Sequence, residues 1–259
     1  MRMTRTENRD TPQGLAFAIS AYVMWGFLPF YMKAVAHIPA AEVVAHRVLW
    51  SVPVAGLLLI LLKRTKDLRA ALASPRTLLM GCLTAALISV NWGIYVWAIA
   101  SGNALEAALG YYINPLVNVL FGMIFFSERL RPAQWVAVGI AAIGVAIMTL
   151  AFGRVPWVAL FLCMTFACYS LIRKQVAIDS RAGFLMEVLL LAPLALGWLV
   201  WAAGQPGTKL FGDGGWDIAL LMAAGPITSV PLILFALSAR RLKLSTIGMM
   251  QYIGPTLQF

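Results

Sequence analysis

Residues 104–126 of the chain read ALEAALGYYINPLVNVLFGMIFF, and this stretch decides the class of fold. A helix rises about 1.5 Å per residue, so it needs about 20 mostly apolar residues to cross the hydrocarbon core of a bilayer. The stretch carries a single charged residue, Glu106, close to one end. It therefore predicts a transmembrane helix with Pro115 near the middle of the membrane.

The composition of the whole chain extends this prediction. Of 259 residues, 61% are hydrophobic and 12% are charged, whereas soluble domains are about half apolar and a quarter charged. Nine segments meet or approach the length of a membrane span, which predicts an all-α polytopic membrane protein. We expect the spans at residues 14–34, 41–62, 77–98, 104–126, 133–150, 157–172, 183–202, 218–237 and 244–259.

The distribution of basic residues predicts the orientation. The chain has 20 Lys and Arg against 10 Asp and Glu, for a net charge of +10. Sixteen of the basic residues fall in one alternating set of connections and three in the other, with Arg47 left inside a span. The positive-inside rule then predicts a cytoplasmic N-terminus. Because the charges are spread over alternate loops and form no single stripe, we expect the lipid bilayer as a partner and no nucleic acid.

The three cysteines predict neither a disulfide framework nor a metal site. Cys82, Cys163 and Cys168 form no C-x-x-C pair and share no metal-ligand spacing with the two histidines. We interpret them as small buried hydrophobic residues. The sequence therefore predicts no metal, no cofactor and no catalytic residue.

An internal repeat appears when the sequence is shifted by 140 residues. Tyr112-Ile113-Asn114-Pro115 then falls on Tyr252-Ile253-Gly254-Pro255, and Lys33 at the end of the first span falls on Arg173 at the end of the sixth. A unit of five spans is implied, and an odd number makes the second copy run through the membrane in the opposite direction. We expect an N-terminal tail at 1–13, a first repeat at 14–152 and a second at 153–259, which ends inside the ninth span.

Ionisable side chains inside the spans are few. Each costs about 2.5–3.5 kcal/mol at the centre of a span, so each needs a reason. Arg47 either snorkels to the headgroups or pairs with Glu42, or it faces a central cavity and binds a carboxylate or other anion. The shift of 140 places Glu187 on Arg47. Glu187 is either a proton-coupling group or a helix-terminal carboxylate reached by Arg181 or Lys174.

Two further ionisable residues, His46 and Glu106, are candidates for the site. His46 points about 100° away from Arg47 around the helix, and it is either a hydrogen-bonded packing residue or a proton relay. Glu106 lies in the first turn of its span, where a carboxylate is typical of an interfacial cap.

The paired prolines predict a polar region near the middle of the membrane. Pro115 frees the carbonyl of Tyr111, and Pro255 frees that of Gln251, because proline has no N–H and its ring displaces the preceding turn. Freed carbonyls beside polar side chains are typical of a transporter midplane, whereas a kink used only for packing is the alternative. The polar side chains concerned are Tyr112, Asn114, Asn118, Gln251 and Tyr252.

Two weaker patterns complete the set of candidates. Asn91, with Trp92 and Tyr95, either lines a cavity or packs in the core. Gly139, Ala142 and Ala146 form a small-residue face on the fifth span, which indicates close helix packing and a contact for a second copy of the chain.

Several longer runs of sequence resemble the RarD family of the drug/metabolite transporter superfamily, in the group with EamA-type repeats. The runs are AYVMWGFLPFYMK from Ala21, EVVAHRVLWS from Glu42, LEAALGYYINPLVNV from Leu105, ERLRPAQW from Glu128 and RRLKLSTIGMMQYIGPTL from Arg240. The likeness extends from about Gly14 to the last residue, and the YINPL and QYIGPTL runs are its most specific parts.

The resemblance implies ten helical spans in two inverted repeats, a place in the bacterial inner membrane, and export or exchange of small metabolites or drugs. Members of the family are linked by name to chloramphenicol sensitivity. Two departures are notable: the family pattern has Asn where Ala100 stands, and the sequence stops at Phe259. The family's recurrent positions here are His46, Arg47, Asn91, Glu106, Asn114, Pro115, Glu187, Gln251, Tyr252 and Pro255.

Together these observations favour a secondary transporter that moves a small-molecule substrate by alternating access, as an exporter or exchanger. No G-x-x-x-x-G-K-[ST] loop is present, so nothing in the sequence indicates ATP drive. A passive channel or a membrane assembly factor is the alternative. A membrane-embedded enzyme ranks below both, because no H-E-x-x-H motif or nucleophile elbow is found.

Overall fold

The computed structural model describes residues 10–176, 178–205 and 210–257, and within these ranges the regular structure is entirely helical. Eight helices there are long and apolar enough to cross a membrane. The all-α polytopic membrane fold is thereby confirmed. The helices are α1 (Pro12–Gly26), α2 (Leu28–Ala34), α3 (Ala40–Leu61), α4 (Thr65–Ala73), α5 (Pro75–Ala100), α6 (Ala104–Phe126), α7 (Pro132–Phe152), α8 (Trp157–Gln175), α9 (Ser180–Ala203), α10 (Gly215–Ala239), α11 (Leu244–Met250) and α12 (Ile253–Leu257).

The first eight predicted spans correspond to helices of the structure. The first is built from α1 and α2 together, which cross as Pro12–Ala34. The break between them falls at Phe27, directly before the first turn of α2 that holds Pro29. A proline at that position cannot continue the preceding helix, because it lacks the N–H and fixes its own φ.

The ninth predicted span, 244–259, is not one continuous helix. It consists of α11 and α12, separated by a turn at Gln251 and Tyr252. Pro255 explains the break, because its ring would clash with the carbonyl of Gln251 in a continuous helix. The last two residues, including Phe259 where the prediction ends, lie outside the described residues.

Two parts of the connections differ from the sequence prediction. The loop after the second span contains α4, a short helix that packs against α9. Arg173 and Lys174 were expected in a connection, but they lie buried in the last turn of α8. Residues 1–9 of the predicted tail, and Lys209 in the opposite set of connections, lie outside the described residues.

Helix α3 lies at the centre of the bundle and packs against both α9 and α10. Helix α1 also packs on α10, while α8 packs on α5 and α6, and α6 contacts α11. Helix α7 is peripheral and has no buried residue. Its small residues Gly139, Ala142 and Ala146 are therefore not used in packing within the described part of the chain, and a contact with a second copy stays a prediction.

The bundle has two faces, which we name by the chain. The amino-terminal face is the one at which α1 begins. There Asp10 accepts hydrogen bonds from the Lys243 backbone N–H and the Thr246 hydroxyl, both at 2.9 Å, and so fixes the start of α1 to the start of α11. The opposite face holds the ends of α2 and α5 and the starts of α3, α6, α8 and α10, as follows from the alternation of the spans.

The crossing of α3 and α10 depends on a glycine. A Cβ atom added to Gly225 would collide with the backbone carbonyl of Trp50, so the two helices approach too closely for any larger residue. Gly197 in α9 has no heavy atom near such a Cβ and offers a matched comparison.

We expect Gly225→Ala to lower the stability of the protein by about 1–3 kcal/mol, because overpacking forces backbone shifts. Gly197→Ala should leave stability unchanged or raise it slightly, since alanine is the better helix former. Thermal unfolding of both variants in detergent, followed by helical circular dichroism, measures the difference. Equal melting temperatures for the two variants would contradict the close crossing.

Candidate functional site

Arg47 projects from α3 into the interior of the bundle. It lies seven residues from the start of that helix, or about 10 Å from the opposite face. Its side chain is buried, with 8% of the residue exposed. Nε donates a hydrogen bond to the Thr228 hydroxyl of α10 at 2.9 Å, and Cζ lies 4.7 Å from the ring centroid of Trp92 on α5. One edge and one face of the guanidinium are thus held by two other spans.

No carboxylate lies within ion-pair distance of Arg47 in the described part of the chain. Glu42, its predicted alternative partner, makes no such pair and is itself buried. Burial of an unpaired charge is costly, because water is lost and no counter-charge replaces it. Arg47 is therefore a cation whose charge the described side chains leave without a carboxylate.

Three tyrosines are electrostatic neighbours of this cation: Tyr31, Tyr95 and Tyr111. The Tyr31 hydroxyl donates to the Leu220 carbonyl at 3.1 Å. The rings of Tyr95 and Tyr111 meet nearly edge to face, with centroids 5.8 Å apart. We call the set of Tyr31, Arg47, Trp92, Tyr95, Tyr111 and Thr228 the Arg47 cluster.

His46 faces away from the Arg47 cluster. One ring nitrogen, Nε2, lies 2.7 Å from the Leu210 carbonyl, and the ring packs 5.3 Å from that of Phe211. These partners belong to the connection between α9 and α10 at the opposite face. The geometry corresponds to the packing interpretation of His46, while Nδ1 is buried without a hydrogen-bond partner among the described residues.

Glu187 lies on α9, seven residues from the amino-terminal end of the helix. Its carboxylate pairs with Arg173 at 3.2 Å and accepts a hydrogen bond from the Tyr169 hydroxyl at 3.4 Å. Arg173 also donates to the Ser180 carbonyl at 3.0 Å. The partner of Glu187 is therefore Arg173, and not the predicted Arg181 or Lys174.

Glu106 lies in the geometry of a helix cap. One carboxylate oxygen accepts the Val158 backbone N–H at the start of α8 at 2.7 Å, and the other pairs with Arg154 at 3.2 Å. A carboxylate at a helix N-terminus is favoured by the unpaired N–H groups and by the helix dipole.

The amide side chains form a buried network beside α8. Asn91 donates to the Leu162 carbonyl and the Thr165 hydroxyl, each at 2.9 Å. On α6, Asn114 donates to the Cys163 carbonyl at 3.1 Å. These bonds hold α5 and α6 to α8 in a region where no water competes.

The network continues from α6 to the break after α11. Asn118 donates to Asn114 Oδ1 at 2.7 Å and to Gln251 Oε1 at 3.1 Å. Asn118 Oδ1 is buried and has no hydrogen-bond partner among the described residues. Asn114, Asn118 and Gln251 therefore form a connected set of buried amides, with one acceptor left open, and their place in a transport pathway stays a prediction.

The repeated Tyr-Ile-x-Pro segments meet in space. The Tyr252 hydroxyl donates to the carbonyl of Tyr112 at 3.2 Å. Pro115 is buried within α6, and its carbonyl lies against Gly248 of α11, whereas Pro255 is half-buried in α12. An apolar cavity of about 540 Å³ lies beside these segments, between α6, α7 and the α11–α12 segment.

The predicted candidates thus separate into groups. Arg47 lies in its own cluster. The amides Asn91, Asn114, Asn118 and Gln251 form hydrogen bonds with α8 or with one another. Glu187 belongs to a separate ion pair. Among the described residues no hydrogen bond or ion pair joins Arg47 to Glu187. No set of three or more His, Cys, Asp or Glu is placed to hold a metal ion among the residues that the structure describes.

Several functional neighbours were missed by the sequence. The sequence does not indicate that Thr228, Tyr111 or Trp92 contacts Arg47. No local pattern could reveal these contacts, because Thr228 is 181 residues from Arg47. Glu128 was also missed: it accepts from the Leu244 and Ser245 backbone N–H groups at 2.8 and 2.9 Å and so caps α11.

Comparisons with known proteins agree with the membrane architecture. The EamA-like transporter family matches residues 12–150. An uncharacterized transporter of Vibrio cholerae is 44% identical over 254 residues, covering 98% of this chain and 84% of that protein. Protein RarD of Escherichia coli K12 is 41% identical over 252 residues, covering 97% and 85%.

Two further proteins resemble this chain at lower sequence identity. The chloramphenicol-sensitive protein RarD of Pseudomonas aeruginosa is 35% identical over 258 residues, covering 97% of this chain and 85% of that protein. A solved crystal structure shares 19% identity with a TM-score of 0.73, covering 95% of this chain and 86% of that chain. This last likeness concerns the fold alone.

The buried pair of Arg173 and Glu187 makes a testable contribution to stability. We expect Arg173→Met or Glu187→Leu alone to destabilise the protein by about 3–5 kcal/mol, because each leaves a buried charge unpaired. The double change Arg173→Met with Glu187→Leu should cost less than either single change. Thermal unfolding in detergent measures all three variants.

The exposed pair of Arg64 and Asp67 provides the control. Their atoms lie 3.3 Å apart with side chains 51% and 37% exposed, so Arg64→Gln should change stability by less than about 1 kcal/mol. If the double variant instead loses the sum of the two single losses, Arg173 and Glu187 do not compensate each other.

Proposed function

Because the chain belongs to the EamA-like transporter family and to its RarD group, we propose that it is a secondary transporter that works by alternating access. The chain is a membrane transporter of the drug/metabolite superfamily, and the names of its relatives indicate a transporter and not an enzyme. The proposal adds a small-molecule substrate, a binding site and a mechanism of export or exchange.

The Arg47 cluster is the observation that carries the proposal. A charged side chain inside a span is costly, and in transporters such residues mark the substrate or ion pathway. Arg47 meets this description because it is buried and has no carboxylate partner among the described residues. The free-energy cost of burying the Arg47 charge is offset if a substrate supplies the missing negative charge during each transport cycle.

The packing of the helices supports the proposal of two inverted repeats. If α8 is the counterpart of α1, α9 of α3 and α10 of α5, then each repeat should pack on the other in reciprocal fashion. Helix α1 packs on α10 as α8 packs on α5, and α3 packs on α10 as α9 packs on α5. Pro53 and Pro193, which lie inside α3 and α9, are also 140 residues apart.

Rocking of one repeat against the other would expose the Arg47 cluster to each side in turn. The cluster draws residues from the first repeat and Thr228 from the second, so relative movement of the repeats changes its geometry. The chain is a multi-pass membrane protein. We place it in the bacterial inner membrane with a cytoplasmic N-terminus, and we propose α7 as the contact surface of a homodimer.

Proton coupling is assigned to Glu187 in this proposal. Protonation of the carboxylate would release Arg173, which holds Ser180 at the start of α9 as well. The pair could thus link a titration to a movement at the amino-terminal face. The name of one relative mentions sensitivity to chloramphenicol, which makes that drug one substrate to test here.

Transport by purified protein tests the function. Proteoliposomes are exposed to a defined mixture of organic acids, amino acids, nucleosides and chloramphenicol, and the retained solutes are quantified by mass spectrometry. We expect saturable uptake of at least one solute, and a loss of about tenfold or more in Arg47→Met, since a charge-assisted contact is worth about 1.5–3 kcal/mol. Arg76→Gln, which changes an exposed arginine, should transport normally.

The outcomes separate the parts of the proposal. Wild-type flux in Arg47→Met would remove Arg47 from the mechanism, and non-saturable flux with ionic currents in a planar bilayer would favour a channel. The double variant Arg173→Met with Glu187→Leu should still move substrate down its own gradient. It should lose any acceleration by a pH gradient, and full retention of that acceleration would contradict the role of Glu187.

A further inference from the structure

The guanidinium of Arg47 has one edge that the described residues leave open. Nε is bound to Thr228, and one face is covered by Trp92. The two Nη groups make no hydrogen bond in the described part of the chain. Their N–H bonds point in parallel, which is the geometry that binds the two oxygens of a carboxylate.

The neighbours of Arg47 in the cluster are hydroxyl groups and aromatic rings. Tyr95 and Tyr111 are electrostatic neighbours of Arg47, and their hydroxyls make no hydrogen bond with a described residue. Tyr111 is 38% exposed, so this side of the cluster is not sealed. With Trp92, the two tyrosine rings add aromatic surface to the cluster, and aromatic surface of this kind favours a planar apolar partner.

Acidic side chains on the same half of the membrane are turned away or already bound. Glu106 caps α8 and pairs with Arg154, while Asp217 lies 2.9 Å from His37. Glu42 lies five residues from Arg47 on α3, which places it about 140° away around the helix axis. The described residues therefore offer no carboxylate to a positively charged group bound beside Arg47.

We infer that the Arg47 cluster binds a monocarboxylate with a planar apolar body, in preference to the zwitterionic amino acid of the same shape. The carboxylate neutralises Arg47 and bonds to its Nη edge, and the ring stacks against Trp92, Tyr95 and Tyr111. An α-ammonium group would be buried without a counter-charge, which disfavours the zwitterion. The inference rests on the proposed transport function and names its substrate class.

A matched set of ligands tests the class. 3-Phenylpropanoate, its neutral amide and phenylalanine share one carbon skeleton and differ in charge. Each is added to the purified full chain in detergent, and the shift of the melting temperature gives the affinity by mass action. We expect stabilisation by 3-phenylpropanoate, with an apparent affinity about tenfold or more above that of the amide and of phenylalanine.

Variants connect the binding to the named side chains. Arg47→Met should abolish the shift caused by 3-phenylpropanoate, and Arg47→Lys should weaken it, because a point charge lacks the fork geometry. Trp92→Leu should weaken binding of 3-phenylpropanoate more than that of acetate, since acetate has no ring to stack. Arg76→Gln should respond as the wild type does. Arg47→Met also removes an unpaired charge, so loss of folding is not expected.

The inference is overturned if phenylalanine or the amide stabilises the wild type as well as 3-phenylpropanoate does, if none of the three does so, or if Arg47→Met keeps the shift. Uptake of labelled 3-phenylpropanoate into proteoliposomes separates this result from the transport function. Arg47-dependent binding without uptake supports the site and contradicts transport. Saturable uptake of other solutes, without binding of the carboxylate, supports transport and contradicts the substrate class.

Discussion

A polar group in the hydrocarbon core of a membrane has no water with which to bond, and the organisation of this protein depends on that constraint. Backbone groups satisfy this constraint by forming hydrogen bonds within helices. The N–H groups at the start of a helix have no such partner and need an acceptor from elsewhere in the chain. Glu106 supplies one to α8, and Glu128 supplies two to α11. These carboxylates connect segments that are far apart in sequence, so the requirement for partners also determines how the helices are joined.

The same constraint distinguishes the two buried arginines. Arg173 has Glu187 as a counter-charge and a backbone carbonyl as a second acceptor, so its charge is compensated within the protein. Arg47 has a hydroxyl and an aromatic face but no carboxylate among the described residues. A structural role explains the first arginine. For the second we propose a ligand that completes its environment for part of a transport cycle.

Interruptions of the helices occur where polar contacts are made. The break after α11 leaves Gln251 free to accept from Asn118, and Tyr252 to donate to the carbonyl of Tyr112. A continuous helix through Pro255 would not permit this arrangement, because proline removes a backbone donor and displaces the preceding carbonyl. The cost of the break is thus offset by bonds between equivalent segments of the two proposed repeats.

The sequence by itself determined the membrane class, the first eight spans and part of the set of buried polar residues, because length and hydropathy are local properties that need no partner. It also showed the spacing of 140 residues that relates Arg47 to Glu187 and Pro115 to Pro255. Only the tertiary structure decided which polar groups meet. Thr228 reaches Arg47, and Arg173 reaches Glu187, through the crossing of helices, and such distances depend on packing that no local pattern records.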